Sequence, residues 1–506
     1  MRQFYFTILI IIWASSTCTV EAQIVLSPQN TALGGGGTAY LTGYESLFVN
    51  PANLFIREKQ NRFEISIGEF GASTQPVLRE FGLGGQIDNF GELFSPFDPA
   101  VTGQQIGFDK RQKILDRNFP GERLQSQHLF RFETYWFGVK WNRPERSYAI
   151  SLRTRAGGRF VTGRGYYSDE PVLQDDLQII DRSLVSEFQT IHELSFGFAE
   201  SFTFLNGLSP RLNEVIIGIA PKLVVGGSFQ SVKYTNEFTR ETDGPWNRRL
   251  SYDQLTSGDF SDATTSFLLT GDPQTAIDRH LDFTDFFSPT GFGAGLDFGL
   301  TFLMPLGKDI STLQRTESET KKSLRVSFSI TDVGFISYSD NAHEQIIEEQ
   351  TEIEEETGKF SDTVFRGIPG QFLSFLNKEG SHPLFEADIV TNGFSTLLPT
   401  AMHTGALIQL NWFKLMGDVS LGLTNNAINT TKLITFLGTE VRPFPFLPLR
   451  AGTRLATETP GFYSFGFGIE TNHFEINTSV QLRNRSAGPT TELAGISVGA
   501  VKIYLP

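Results

Sequence analysis

Thiols are almost missing from this chain: Cys18 is the only cysteine among 506 residues. It lies inside an N-terminal stretch that reads as a leader, so the mature chain would carry neither a thiol nor a disulfide. Long apolar runs are missing as well. Phe4 to Trp13 gives ten residues, well short of the roughly 20 that a spanning helix needs, and no later segment approaches that length. Helical membrane spans are therefore excluded. A basic excess is also absent: 42 Lys and Arg stand against 56 Asp and Glu, a net charge of −14. Removing residues 1–22 takes away Arg2 and Glu21, which cancel, so the mature chain keeps that charge and offers no basic footprint for nucleic acid. The seven histidines, scattered from His128 to His473, show no paired metal-ligand spacing, and no motif with a catalytic mechanism accompanies them. The expectation is a non-enzyme without a cofactor or a metal.

The leader itself has three parts: Arg2, the apolar run, and small and polar residues ending in Val20-Glu21-Ala22. This is the pattern of a secretory signal peptide cleaved before Gln23. A lipid anchor at Cys18 is the competing reading, but Ser15-Ser16-Thr17 lacks the leucine and the small residue expected before such a cysteine. What the chain has in quantity is Phe, 47 residues, and Gly, 49 residues. With a slightly negative mean hydropathy, it is too aromatic for a disordered tail and too polar for a helical membrane protein.

Periodicity carries the fold argument. Phe292, Ala294, Leu296, Phe298, Leu300 and Phe302 alternate with Gly293, Gly295, Asp297, Gly299 and Thr301, a period of two and hence a strand. Leu324, Val326, Phe328 and Ile330 alternate in the same way with Arg325, Ser327, Ser329 and Thr331. Tyr463 to Glu470 and Phe474 to Leu482 repeat the pattern on either side of Thr471-Asn472-His473, which reads as an antiparallel hairpin with His473 in its turn. Weaker copies begin at Phe63, Tyr135, Tyr148, Leu194, Val215, Ala406 and Val419.

A soluble sandwich and a membrane barrel both have one apolar face per strand, so the other face decides. Here it is largely Gly and Ser, with an occasional Arg, Asp or Glu. Small residues suit the crowded interior of a closed barrel, and Phe-rich outer faces suit hydrocarbon. Only a closed sheet satisfies every backbone group in lipid. The expected fold is therefore all-β: a transmembrane antiparallel barrel forming one domain over residues 23–506. Its lipid-facing residues include Phe298, Phe328, Phe465 and Phe467, and its lumen-facing candidates are Asp297, Arg325 and Glu470. At roughly 35 residues per strand with its share of loop, the chain allows about 14 strands, with 12 to 16 open.

Other segments do not read as strands. Leu173, Leu177, Ile180, Leu184 and Phe188 follow Pro171 at helical spacing, which predicts an amphipathic helix over 171–192. The stretch 341–359 is rich in glutamate and predicts a solvated helix or loop, within a long acidic insertion spanning 341–395. Near the mature N-terminus, Gly34, Gly35, Gly36 and Gly37 permit unusual backbone angles and close approaches. Asn50 is a good N-cap, Pro51 suits the first helical position, and Ala52 can continue a short turn of helix.

That N-terminal pattern, Ala32-Leu33-Gly34-Gly35-Gly36-Gly37-Thr38-Ala39-Tyr40 and then Glu45 to Leu54, resembles the start of FadL-like and PorV-like outer-membrane barrels. The C-terminal half resembles a Gram-negative outer-membrane barrel family of unknown function. It shares Gly295-Leu296-Asp297-Phe298-Gly299, Ser329-Ile330-Thr331-Asp332-Val333-Gly334-Phe335-Ile336 and Leu397-Leu398-Pro399-Thr400, departing from that family at Val333 and in the acidic insertion. In the fatty-acid transporters the N-terminal segment plugs the barrel and moves to admit ligand. The resemblance therefore implies a plug over 23–54; the alternative is that these residues merely close the periplasmic end.

The functional expectation is an outer-membrane channel or transporter for hydrophobic or amphipathic compounds, with membrane lipid and a hydrophobic small molecule as partners. The alternative is a non-transporting partner of envelope proteins in assembly or secretion. Both termini are expected on the periplasmic side. Ile496 to Leu505 is expected to close the barrel against a strand near the N-terminus, with Tyr504 at the aromatic girdle and Lys502 interrupting the apolar face.

Overall fold

The structure, a computed structural model, describes residues 25–57, 63–78, 108–119, 121, 123–168, 170–202, 214–241, 244–270, 279–280, 288–306, 322–353, 393–429, 431, 433–456, 459–484, 491–499 and 501–505. The expected leader with Cys18, and residues 354–392 of the acidic insertion, lie outside the described residues.

Fourteen strands form the wall. They are β1 (Phe63–Leu78), β2 (Gln125–Arg143), β3 (Arg146–Gly163), β4 (Leu184–Phe202), β5 (Glu214–Glu241), β6 (Gly291–Pro305) and β7 (Lys322–Tyr338). The second half comprises β8 (Ala401–Leu410), β9 (Phe413–Gly422), β10 (Leu433–Phe444), β11 (Leu447–Ala456), β12 (Thr459–Glu470), β13 (Phe474–Asn484) and β14 (Thr491–Val498, continued by Lys502–Leu505). Each pairs antiparallel with its neighbours, and β1 closes the ring: Phe70 lies opposite Val498 and Phe63 opposite Leu505, while its other edge pairs with β2. Closure leaves no wall strand with an open edge, the condition for spanning hydrocarbon. The tight turns after Arg143, Leu410, Phe444 and Glu470 gather at the end of the barrel where Phe63 and Leu505 meet. The long connections 163–184, 241–291 and 338–401 leave from the other end.

The alternation read from the sequence sorts residues through this wall. Phe298, Phe465 and Phe467 are 41%, 50% and 55% exposed on the outer face, and Phe328 is half-buried there. Asp297, Arg325 and Glu470 are buried on the inner face, as are Ser327, Ser329 and Ser464. Among the largest fully buried side chains are Arg153, Arg155 and Arg325. Apolar residues outside and charges inside is the reverse of a water-soluble domain. No helix among the described residues is long and apolar enough to cross a membrane.

Three expectations need correction. The stretch 171–192 is not a helix: Val172–Gln174 and Leu177–Asp181 form a hairpin, and β4 starts at Leu184. Asp175 and Asp176 both take positive φ, 48° and 67°, and turn the chain in two residues. Asp181 then makes a second corner, its carboxylate accepting from the Ser183 amide at 2.7 Å. Two turns in a short stretch imitated a helical spacing. The described part of the acidic stretch is a strand, His343–Ile353, because it has a ladder partner. Trp246–Ser257, carrying Arg248 and Arg249, pairs with it on one side and with the far end of β5 on the other. In the closing strand, Ile503 and Leu505 are exposed while Lys502 and Tyr504 turn inward and are buried. Tyr504 donates to Glu475 at 2.6 Å rather than joining a girdle, and Lys502 leaves the apolar face unbroken.

Candidate functional site

The N-terminal residues answer why the inner wall is so rich in glycine. Pro28–Ala32 forms one turn of helix, and Asn30 Nδ2 donates to the carbonyls of Val25 and Gly35 at 2.7 and 2.8 Å. This ties the chain into a loop. Gly34 and Gly35, with φ of 92° and 108°, supply the left-handed backbone that the loop requires. Tyr44–Phe48 and Pro51–Phe55 are short 3-10 helices. Asn50 caps the second, its Oδ1 accepting from the Ala52 amide at 3.2 Å with Pro51 at the first position. The Asn50 side chain also donates to the Thr38 carbonyl at 3.1 Å and to Thr301 of β6 at 2.9 Å. Asn53 donates to the carbonyls of Thr38 and Leu41 at 2.8 and 3.0 Å.

This segment touches all fourteen wall strands. A methyl group on Gly138, Gly197 or Gly218 would collide with Tyr44, Leu47 or Pro51 respectively, and one on Gly299, Gly452 or Gly466 with Asn50, Leu33 or Ala32. These glycines stand on β2, β4, β5, β6, β11 and β12. Gly71 of β1 is pressed by Leu26, Gly405 of β8 by Thr38, and Gly438 of β10 by Leu33. The Phe48 ring lies 3.9 Å from the Arg153 guanidinium of β3. Ser329 of β7 donates to the Val49 carbonyl at 2.6 Å, Asp418 of β9 accepts from the Thr38 amide at 3.2 Å, and Thr31 meets Ser497 of β14 at 2.9 Å. Gln29 donates to Glu475 of β13. The four-glycine run thus lies against β9 to β11, while Asn50, Pro51 and Ala52 lie against β5 and β6.

Around the segment, buried charges form two groups. The first crosses six consecutive strands, from Glu133 on β2 to Asp332 on β7. Glu193 holds both Arg153, at 2.5 Å, and Arg155. Arg155 continues to Asp332 at 2.9 Å, and Lys222 bridges Asp332 and Asp297 at 2.5 and 2.7 Å. The second group joins Arg442 and Arg450 to Glu440 and Glu470, then Lys502 to Glu45, Glu69 and Glu475. It includes side chains of the segment: Tyr40 donates to Glu440 and accepts from Arg450 at 2.9 Å. Pairing repays part of the cost of taking each ion out of water, and that cost would fall whole on any partner left alone.

The three lumen candidates do not meet. Asp297 belongs to the first group and Glu470 to the second, while Arg325 donates to Gln409 of β8 at 3.0 Å. Sequence reasoning missed Glu133, Arg153, Arg155, Glu193, Lys222 and Asp332. Their signal was present as isolated charges at alternate positions of apolar strands, such as Arg153 and Arg155 around Thr154. Among the described residues no group of three or more His, Cys, Asp or Glu is arranged to hold a metal ion.

A closed sheet with an apolar outer belt and inward charges defines a transmembrane β-barrel of the outer-membrane type. No curated protein matches the chain in sequence. The chain belongs to the family of unknown function DUF5723, whose model matches residues 70–480. Among solved structures it is similar to the Ralstonia pickettii toluene transporter TbuX, at 12% identity over 95% of this chain and 98% of that one, with a TM-score of 0.41. It is also similar to the P. putida toluene transporter TodX, at 11% identity over 96% and 99%, with a TM-score of 0.40. A third is a Pseudomonas aeruginosa FadL homologue, at 11% identity over 96% and 98%, with a TM-score of 0.36.

Proposed function

We propose that the protein is an outer-membrane channel for hydrophobic or amphipathic compounds, exported by a cleaved leader, with residues 25–57 as its plug. The observation that carries this reading is the contact of one short segment with every strand of the wall. A segment that merely closed one end would meet the rim; this one meets mid-strand glycines such as Gly299, Gly452 and Gly466. It has only short helices of its own and no strand in the wall ladder, so it can leave without breaking the barrel. The tight-turn end, where Leu505 meets Phe63, is the periplasmic end in this reading.

The test is uptake of a neutral fluorescent hydrocarbon by vesicles reconstituted with the full chain. Uptake faster than through protein-free vesicles, and faster still after residues 25–57 are removed, supports the channel. Equal rates in all three refute it. The non-transporting alternative draws on how closely the segment is packed: the recess beside Gly43 is about 50 Å³ and that beside Gly35 to Gly37 about 10 Å³. In that reading the segment stays in place and the exposed loops bind an envelope protein.

A further inference from the structure

We propose that Glu45 is a proton-operated latch on the N-terminal segment: with its proton it stays seated against the wall, and without it the segment is driven out. This rests on the reading that the segment moves. Lys502 of the closing strand pairs with Glu45 and lies 3.5 Å from Glu69 and 3.6 Å from Glu475. Glu64 points to the same place, its Oε1 accepting from the Tyr44 amide at 3.1 Å. A methyl group on Gly43 would strike both Glu45 Oε2 and Glu64 Oε1, so these two oxygens share one small space. One ammonium therefore faces four carboxyls, three on the wall and one on the segment. Glu45 is 1% exposed, and its Oε2 has no hydrogen-bond partner. An orphaned, buried carboxylate oxygen beside like charges is a place for a proton.

Every element packed around Glu45 contributes to its field. Tyr44 is on its own helix, Glu64 and Glu69 come from β1, Tyr135 and Lys140 from β2, Glu475 from β13, and Lys502 and Tyr504 from the closing strand. Arg57, Arg442, Arg450 and Glu470 stand across a polar recess of about 50 Å³ that adjoins Gly43 and has room for water to carry the proton. Burial pushes the Glu45 carboxyl up to about 8; Lys502 opposes this, and Glu69 and Glu64 add to it. Its ordinary value is 4.5. A carboxyl raised in the seated state favours that state fully below 4.5, and the preference is lost as pH climbs to about 8.

The test uses the full chain with Cys18→Ser, bearing nitroxides on Thr42→Cys of the segment and His473→Cys of an exposed wall turn, in lipid nanodiscs. The distance distribution by pulsed EPR is expected to be single at pH 5, and a longer-distance population should grow at least about tenfold by pH 8. Glu45→Gln, which mimics the protonated acid, should keep the pH 5 distribution throughout. Identical distributions of the parent at both pH values overturn the latch, as does a Glu45→Gln protein that shifts like the parent. If Glu45→Gln does not assemble, Glu64→Gln is used: with one repelling carboxylate gone, the gain at pH 8 should fall by at least about half, and an undiminished gain overturns the proposal. Uptake of the neutral fluorescent hydrocarbon by vesicles carrying the same protein separates the two ideas. Labels that move with pH without uptake above that of protein-free vesicles uphold the latch and refute the channel; uptake that is equal at both pH values, with labels that stay still, refutes the latch.

Discussion

The wall and the segment inside it are held by different physics. In the wall, each strand is bonded to two neighbours along its length, and the ion chain from Glu133 to Asp332 joins side chains of six strands to one another. The segment of 25–57 has three short helices of five residues each, and owes its position to contacts with that wall. Backbone closure makes the wall cooperative, whereas the segment is a guest whose fit is set by missing side chains on its host. Perturbing the wall should therefore abolish the protein, and perturbing the segment should change only what the barrel contains.

The largest effect should come from removing the closure. Deleting residues 496–506 exposes unpaired edges of β1 and β13 to hydrocarbon, and no heat-resistant protein should reach the outer membrane; normal amounts there would show that the last strand is dispensable. Next comes the inner wall. Glu193→Leu strands Arg153 and Arg155 without their shared carboxylate, at a cost of about 3–5 kcal/mol, read as a lower midpoint of urea unfolding in liposomes. Phe298→Arg puts a charge on the outer face and should cost about 2–4 kcal/mol if near the bilayer midplane, with reduced insertion as the readout. Unchanged insertion would mean that the facing of β6 is wrong. Gly218→Leu should separate wall from segment: the added side chain collides with Pro51 and Ala52, at about 1–3 kcal/mol of overpacking. Protease should then cut the segment faster while the barrel keeps its heat resistance. Asn50→Ala ends the series: it removes a helix cap worth about 1 kcal/mol together with the donors to the Thr38 carbonyl and Thr301, and should speed amide exchange at Ala52.

This contrast also explains what was legible in the sequence. Phe298, Phe465 and Phe467 announced their face because period two is a local property of each strand. The strand number followed from length, and the glycines announced a crowded interior. What pressed on them was not legible, since the meeting of Gly299 with Asn50 joins positions about 250 residues apart in the chain. The ion chain was hidden for the same reason: Arg155 and Asp332 each look solitary until the sheet closes. Tyr504 was misplaced by expecting an aromatic at the girdle, although strict alternation with Ile503 and Leu505 puts it inside. The Asp175-Asp176 turn was missed because nothing in the residue types forced positive φ at both.

The most direct test is to delete residues 25–57 behind an intact leader and measure heat resistance and planar-bilayer conductance together. The account predicts a barrel that still resists heat and now carries a steady current through a water-filled lumen. A protein that fails to assemble would show that the segment is part of the wall's own stability. One that assembles but stays silent would show that something other than this segment fills the barrel.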